Sequence, residues 1–175
     1  REKLPAVRVI EDGPARTVVE AVFAYHQSSA CIQYKLPKHG AAVDVEVRVF
    51  WNEKDRMLKL SVPGIDPDAG YCGQTMFGRD ELRADGDEVV AQAWTALVSD
   101  ERDCALAIVN DSTYGSDAKD GEARISLLRS PAYSGHPIRD RDIVPQDRFT
   151  PRIDQGERLY RFRLLGGSVD AVLGS

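Results

Sequence analysis

Val43-Asp44-Val45-Glu46-Val47-Arg48-Val49 reads as one strand and decides the fold class. Four valines alternate with three charged residues. Successive side chains of an extended strand point to opposite faces, so one face of this segment is dry and the other wet. Working outward, residues 17–26 and 30–36 are rich in β-branched and aromatic residues, and residues 57–62 and 158–165 alternate again. Further strands are expected at residues 7–10, 71–77, 88–94, 105–110 and 123–128. Asp12-Gly13, Asp85-Gly86 and Asp120-Gly121 are tight-turn pairs, and Pro63-Gly64 and Gly115 add breaks. No stretch of ten residues holds a 3.6-residue period. The expectation is an all-β, antiparallel sandwich of roughly ten strands.

The 175 residues make one domain, large enough to bury a core without metal or disulfide support. A 42% hydrophobic and 29% charged composition excludes a disordered chain, and the apolar runs are too short for a transmembrane helix. The net charge of −5 gives no basic stripe for nucleic acid. No nucleic-acid or membrane partner is therefore expected. Cys31, Cys72 and Cys104 are odd in number and have no metal-ligand spacing, which suits free thiols in a reducing, cytoplasmic setting. The chain starts at Arg1 without a methionine, and residues 169–173 read like the first turn of something cut short. We therefore expect residues 1–175 to be a single sandwich excised from a longer chain. Residues 134–156, with Pro137, Pro145 and Pro151, form a long charged loop expected to pack on a missing domain, together with a turn at residues 79–86.

The chemistry-bearing residues are sparse in pattern. His26, His39 and His136 lie far apart in sequence and match no metal motif, so no metal is expected in this segment. No nucleophile elbow, phosphate loop or catalytic cysteine signature occurs. Asp103 and Glu20 beside apolar runs read as outward strand residues rather than general acids. Asn110-Asp111-Ser112 matches the glycosylation triplet, which chance supplies often. Trp51 and Trp94 allow a sugar-stacking platform, with a place in the core the commoner outcome. The residues alone leave a sandwich without a self-contained catalytic site.

Several motifs in order resemble the region after the catalytic domain of glycoside hydrolase family 38 α-mannosidases. They are the strand from Asp44 to Trp51 with Leu58-Lys59-Leu60 after it, Phe77-Gly78, and Ala93-Trp94-Thr95-Ala96-Leu97. Then come Ala107-Ile108-Val109-Asn110-Asp111-Ser112-Thr113-Tyr114-Gly115, Ile125-Ser126-Leu127-Leu128-Arg129-Ser130-Pro131 and Asp154-Gln155-Gly156-Glu157. The resemblance runs from about Val7 to Gly167. It implies a portion of a galactose-mutarotase-like supersandwich, and a full-length enzyme that hydrolyses terminal α-mannosides with retention. It also implies a catalytic α/β domain in the same polypeptide, which holds the zinc and an aspartate nucleophile. The segment itself is then inactive, with no cofactor of its own. In the family an arginine shortly after the Phe-Gly strand reaches the sugar. Spacing selects Arg83 for that role, with Arg79 the neighbour, although the family's basic-Arg-Pro-Thr pattern is absent here. The alternative is an independent carbohydrate-binding or structural sandwich.

Overall fold

The computed structural model describes residues 5–64, 66–132 and 151–174. Thirteen strands precede one short helix. They are β1 (Val7–Asp12), β2 (Arg16–Tyr25), β3 (Ser28–Pro37), β4 (Ala42–Trp51), β5 (Met57–Pro63), β6 (Gly70–Thr75) and β7 (Gly78–Leu82). Then come β8 (Val89–Val90), β9 (Trp94–Ser99), β10 (Cys104–Asn110), β11 (Gly115–Lys119), β12 (Glu122–Arg129), β13 (Gly156–Gly167) and α1 (Val169–Leu173). Nine strands form one sheet in the order β1-β2-β3-β4-β13-β10-β9-β6-β7, and four form the second in the order β5-β12-β11-β8. The named strand pairs are all antiparallel. The all-β sandwich is as expected, with three more strands.

The alternation in β4 does what its sequence dictates. Val45, Val47, Val49 and Trp51 are buried between the sheets, against Val62, Ala123 and Ile125 of the smaller sheet. On the opposite face Asp44 pairs with Arg163 (2.7 Å), Glu46 with Lys35 (2.9 Å) and Arg48 with Glu157 (2.5 Å). Two hydrogen bonds fasten the sheets to each other inside the core. Trp51 Nε1 donates to Ser130 Oγ at 3.0 Å, and the Tyr71 hydroxyl pairs with Ser116 Oγ at 2.8 Å. The β5–β12 register shifts between Ser126 and Leu128, and Leu127 and Leu128 are both buried there.

The differences from the sequence reading are local. Residues 88–94 are not one strand: β8 ends at Val90 and β9 begins at Trp94, in different sheets. Residues 79–82, expected in a turn, form the edge strand β7, and residues 115–119 form β11. Of the three Asp-Gly pairs, Asp120-Gly121 makes the two-residue turn of β11–β12 with φ of 51° and 72°. Asp85-Gly86 joins no hairpin; it lies between β7 and β8, and Gly86 N donates to Ala118 O at 2.9 Å. Asp103 is in the β9–β10 turn rather than a strand, while Glu20 is on the outer face of β2 but buried there against Arg8 and Gln33. The expected long loop lies, from residue 134 to 150, outside the described residues.

Asp117 is an acid with 2% of its side chain exposed, held by Lys59 and by Arg124. Lys59 also reaches Glu88, at 2.5 Å. Burial works against the Lys59 charge, yet the hydrogen bonds it donates to Asp117 and Glu88 outweigh it and raise its pKa. A buried carboxylate with two cationic partners is tolerated where a lone one is not.

Two stability tests follow. A Cβ on Gly121 would sit 2.0 Å from the carbonyl oxygen of Asp66, and its φ is positive. Gly40 has a φ of +100° with nothing within 4 Å. Gly121→Ala is expected to lose about 3 kcal/mol, from left-handed strain plus overpacking, and Gly40→Ala only about 1 kcal/mol. Urea unfolding midpoints compare them, and equal losses would contradict the close approach. The second test is pH. Hydrogen bonding to Arg163 holds the Asp44 carboxyl below its ordinary 3.8, and Lys35 holds Glu46 below 4.5. A depressed carboxyl stabilises the fold above its unfolded value and stops doing so as pH falls through the folded one. Wild type is expected to exceed Asp44→Asn by up to about 1 kcal/mol near neutrality. The two should converge as pH falls below 3.8. A gap that persists in acid would assign the difference to packing.

Candidate functional site

The face of the nine-stranded sheet that points away from the smaller sheet divides into two regions. Over β1 to β4 and β13 it is a lattice of ion pairs. Over β10, β9 and β6 it is apolar. Register places Cys72 opposite Ala96, Ala96 opposite Ala107 and Ala107 opposite Leu165, all on this face. Helix α1 lies on that apolar floor through Val172 and Leu173. Ser168 caps it, its side chain accepting from Ala171 N at 3.2 Å, and Asp103 accepts from Val169 N at 3.2 Å.

The helix leaves a cleft on each side. One, of about 720 Å³, is lined by Tyr71, Cys72, Glu81, Asp100, Glu101 and Leu173, with Arg79 facing it. Asp66 and Asp68 sit at its margin. Ser99 Oγ donates to the Asp66 carboxylate, Asp68 N does so at 3.1 Å, and Arg102 lies 3.5 Å away. The Ser99 bond, with Asp68 and Arg102, holds Asp66 below the ordinary carboxylate value, against desolvation. The second cleft, of about 710 Å³, lies at the tip of the β6–β7 hairpin and is lined by Gln74, Phe77, Arg79, Gln92, Trp94 and Val109, among others. Gln74 builds its wall: its backbone O accepts from Gln92 N (2.8 Å) and its Oε1 from Ala93 N (3.1 Å).

The two candidate arginines stand in different situations. Arg83, just past β7, is exposed and paired with Asp87 at 3.1 Å and Asp85 at 3.9 Å. Arg79, inside β7 and opposite Gln74, faces both clefts and makes no ion pair among the described residues. The tryptophans also separate. Trp51 is sealed in the core, whereas Trp94 is half-buried in the hairpin cleft. In sequence, Trp51 keeps phase with Val45, Val47 and Val49, a signal that places it inside; no comparable run marks Trp94.

His26 and His39 occupy the turns at opposite ends of the ten-residue β3, roughly 30 Å apart at strand rise, so they share no ligand. His136 lies outside the described residues. Among the described residues no three His, Cys, Asp or Glu side chains are grouped to hold a metal ion. The three cysteines are free, and burial raises the thiol pKa of Cys72, as it does for Cys31 together with Glu20. Asn110 uses its Oδ1 to accept from Thr113 N (2.9 Å) and Ser112 N (3.2 Å), a turn-forming role. No helix of the described residues is long and apolar enough to cross a membrane.

Comparison with known proteins identifies this architecture. Residues 1–145 match the model of the glycosyl hydrolases family 38 C-terminal domain. Alpha-mannosidase G of Dictyostelium discoideum is 28% identical over 137 residues, covering 71% of this chain and 12% of its own length. An alpha-mannosidase from Enterococcus faecalis V583 superposes with a TM-score of 0.70 at 12% identity, over 93% of this chain and 22% of that one. A family 36 alpha-galactosidase from Geobacillus stearothermophilus reaches 0.51 at 15% identity, over 96% of this chain and 26% of that one. The two structural likenesses speak for the fold alone. This chain spans about an eighth of the curated relative and about a fifth of the solved alpha-mannosidase. The family match covers most of the chain and agrees with the sandwich, so the chain belongs to the family 38 glycosyl hydrolases, as their C-terminal domain.

Proposed function

We propose that this chain is the non-catalytic sandwich segment of a zinc-dependent, retaining α-mannosidase. In this reading the full-length polypeptide hydrolyses terminal α-mannosides through a catalytic α/β domain. The family match over residues 1–145 carries the reading. A physical feature supports a larger body. Nine strands face only four, and the core-side face continues past the smaller sheet across β3, β2 and β1. Val7, Val9, Phe23, Tyr25 and Leu36 are exposed there, in register with buried Val45, Val47 and Val49. Retention requires a nucleophilic and an acid/base carboxylate about 5–5.5 Å apart, and both are assigned to the catalytic domain. Zinc, when bound there, polarises sugar hydroxyls. Free thiols fit a reducing cytoplasmic setting.

Within this segment Arg83 is assigned to the substrate. It stands exposed at the end of β7, and Asp87 and Asp85 orient its guanidinium. A planar fork of donors held in this way suits a sugar hydroxyl or carboxylate partner. A free-standing carbohydrate-binding module is the second reading, favoured by the hairpin cleft.

The 175-residue chain alone is expected to leave an aryl α-mannoside unhydrolysed. In the full polypeptide, Arg83→Ala is expected to lower kcat/KM about tenfold to a hundredfold, the range for a lost charge-assisted hydrogen bond, and Arg48→Ala to leave it unchanged. Turnover by the chain alone, or equal values for both variants, would count against the assignment. A second outcome concerns the uncovered face. Val9→Glu with Phe23→Glu is expected to destabilise the full polypeptide by several kcal/mol while barely changing the unfolding midpoint of the 175-residue chain, because only the former buries those side chains. Equal effects in both would show that no further domain covers them.

A further inference from the structure

We propose that the cleft at the β6–β7 hairpin tip is a pyranose-binding site, separate from the Arg83 end of β7, with Phe77 and Trp94 as its apolar walls and Arg79 and Gln92 as its hydrogen-bonding groups. Phe77 is fully exposed and holds a φ of +71°, where a bulky side chain is strained and glycine is not. The hairpin turn has no need of an aromatic there, and the fold gains no burial from it. Strained residues that the fold does not need gather at ligand clamps. Trp94, opposite Val109 on the sheet, presents the second aromatic surface from the cleft floor.

The polar lining decides the ligand class. Arg79 has no ion pair, and the Gln92 side chain has no hydrogen bond, among the described residues. An apolar segment laid into this cleft would bury both without partners, which costs more than its contacts return. A pyranose has an apolar C–H face to lie on an aromatic ring and a rim of hydroxyls to meet an amide and a guanidinium. The volume of about 710 Å³ falls within the range of small-molecule sites. Arg83 is not part of it: the five residues of β7, at about 3.3 Å each, separate the two ends. That the sugar is an α-linked mannoside rests on the function proposed above; that the cleft takes a pyranose does not.

The chain has two tryptophans, so its emission divides into a sealed Trp51 and a ligand-facing Trp94. Titration with α-linked mannobiose, and in parallel with α-linked galactobiose, is expected to quench the Trp94 part alone, with millimolar affinity. Phe77→Ala and Arg79→Ala should each weaken binding about tenfold. Phe77→Gly should weaken it as much while raising the unfolding midpoint, which a purely structural phenylalanine would not do. Quenching by the galactoside and not the mannoside would keep the pyranose site and overturn its assignment to an α-linked mannoside. No quenching by either sugar at tens of millimolar would overturn the site. Equal affinities for all variants would do the same, as would displacement of an apolar dye by apolar peptides but by no saccharide. If the chain alone loses the buried Trp51 emission, retardation of the full polypeptide in mannan-containing and galactan-containing gels compares the same variants.

Discussion

Val45, Val47 and Val49 must be dry, while Asp44, Glu46 and Arg48, one residue away, must stay wet and paired. Everything else in the sandwich is arranged around that requirement. The smaller sheet supplies Ile125, Ala123 and Val62 for the dry side. On the wet side Lys35, Arg163 and Glu157 come from the two neighbouring strands, so β3 and β13 must flank β4 in one register. A slip of one residue would turn every valine outward and every charge inward, and the register is therefore strongly specified. Trp51 extends the dry row to the end of β4 and ties it across the core to Ser130.

That central logic was legible in the sequence because it is periodic. What was not legible lacked a period. β7, Gly78-Arg79-Asp80-Glu81-Leu82, is an edge strand with charge on both faces, so nothing in its pattern marks a buried side. β11 contains Asp117, which reads as a loop residue until Lys59 and Arg124, brought from β5 and β12, neutralise it. Residues 88–94 look continuous, yet Ala91 and Gln92 carry the chain from one sheet to the other.

The site residues divide in the same way. Arg83 came from spacing within a family pattern, and spacing cannot report that Asp85 and Asp87 would hold it while Arg79 stayed unpaired. Trp94 and Trp51 look alike as letters; their difference is which face of the sheet each occupies, and only the pairing of β9 with β10 fixes that for Trp94. In sequence Phe77 is half of a Phe-Gly motif. Its left-handed backbone and full exposure are properties of a turn that local sequence does not encode.

The position of β13 governs the order in which the sheet is completed. It is the last of the described strands, yet it lies in the middle of the large sheet, between β4 and β10. Without it, the sheet order leaves β1 to β4 as one ribbon and β6, β7, β9 and β10 as another, each with an unpaired edge of backbone donors and acceptors. Its pairing with β4 joins residues more than a hundred positions apart, such as Gly156 with Trp51. Contacts of such long range make folding slow and leave nascent edges exposed to other chains. Closure of the core is thus a late, zipper-like event in the life of each molecule. Until it occurs, the two half-sheets have only solvent or a chaperone to cover their edges.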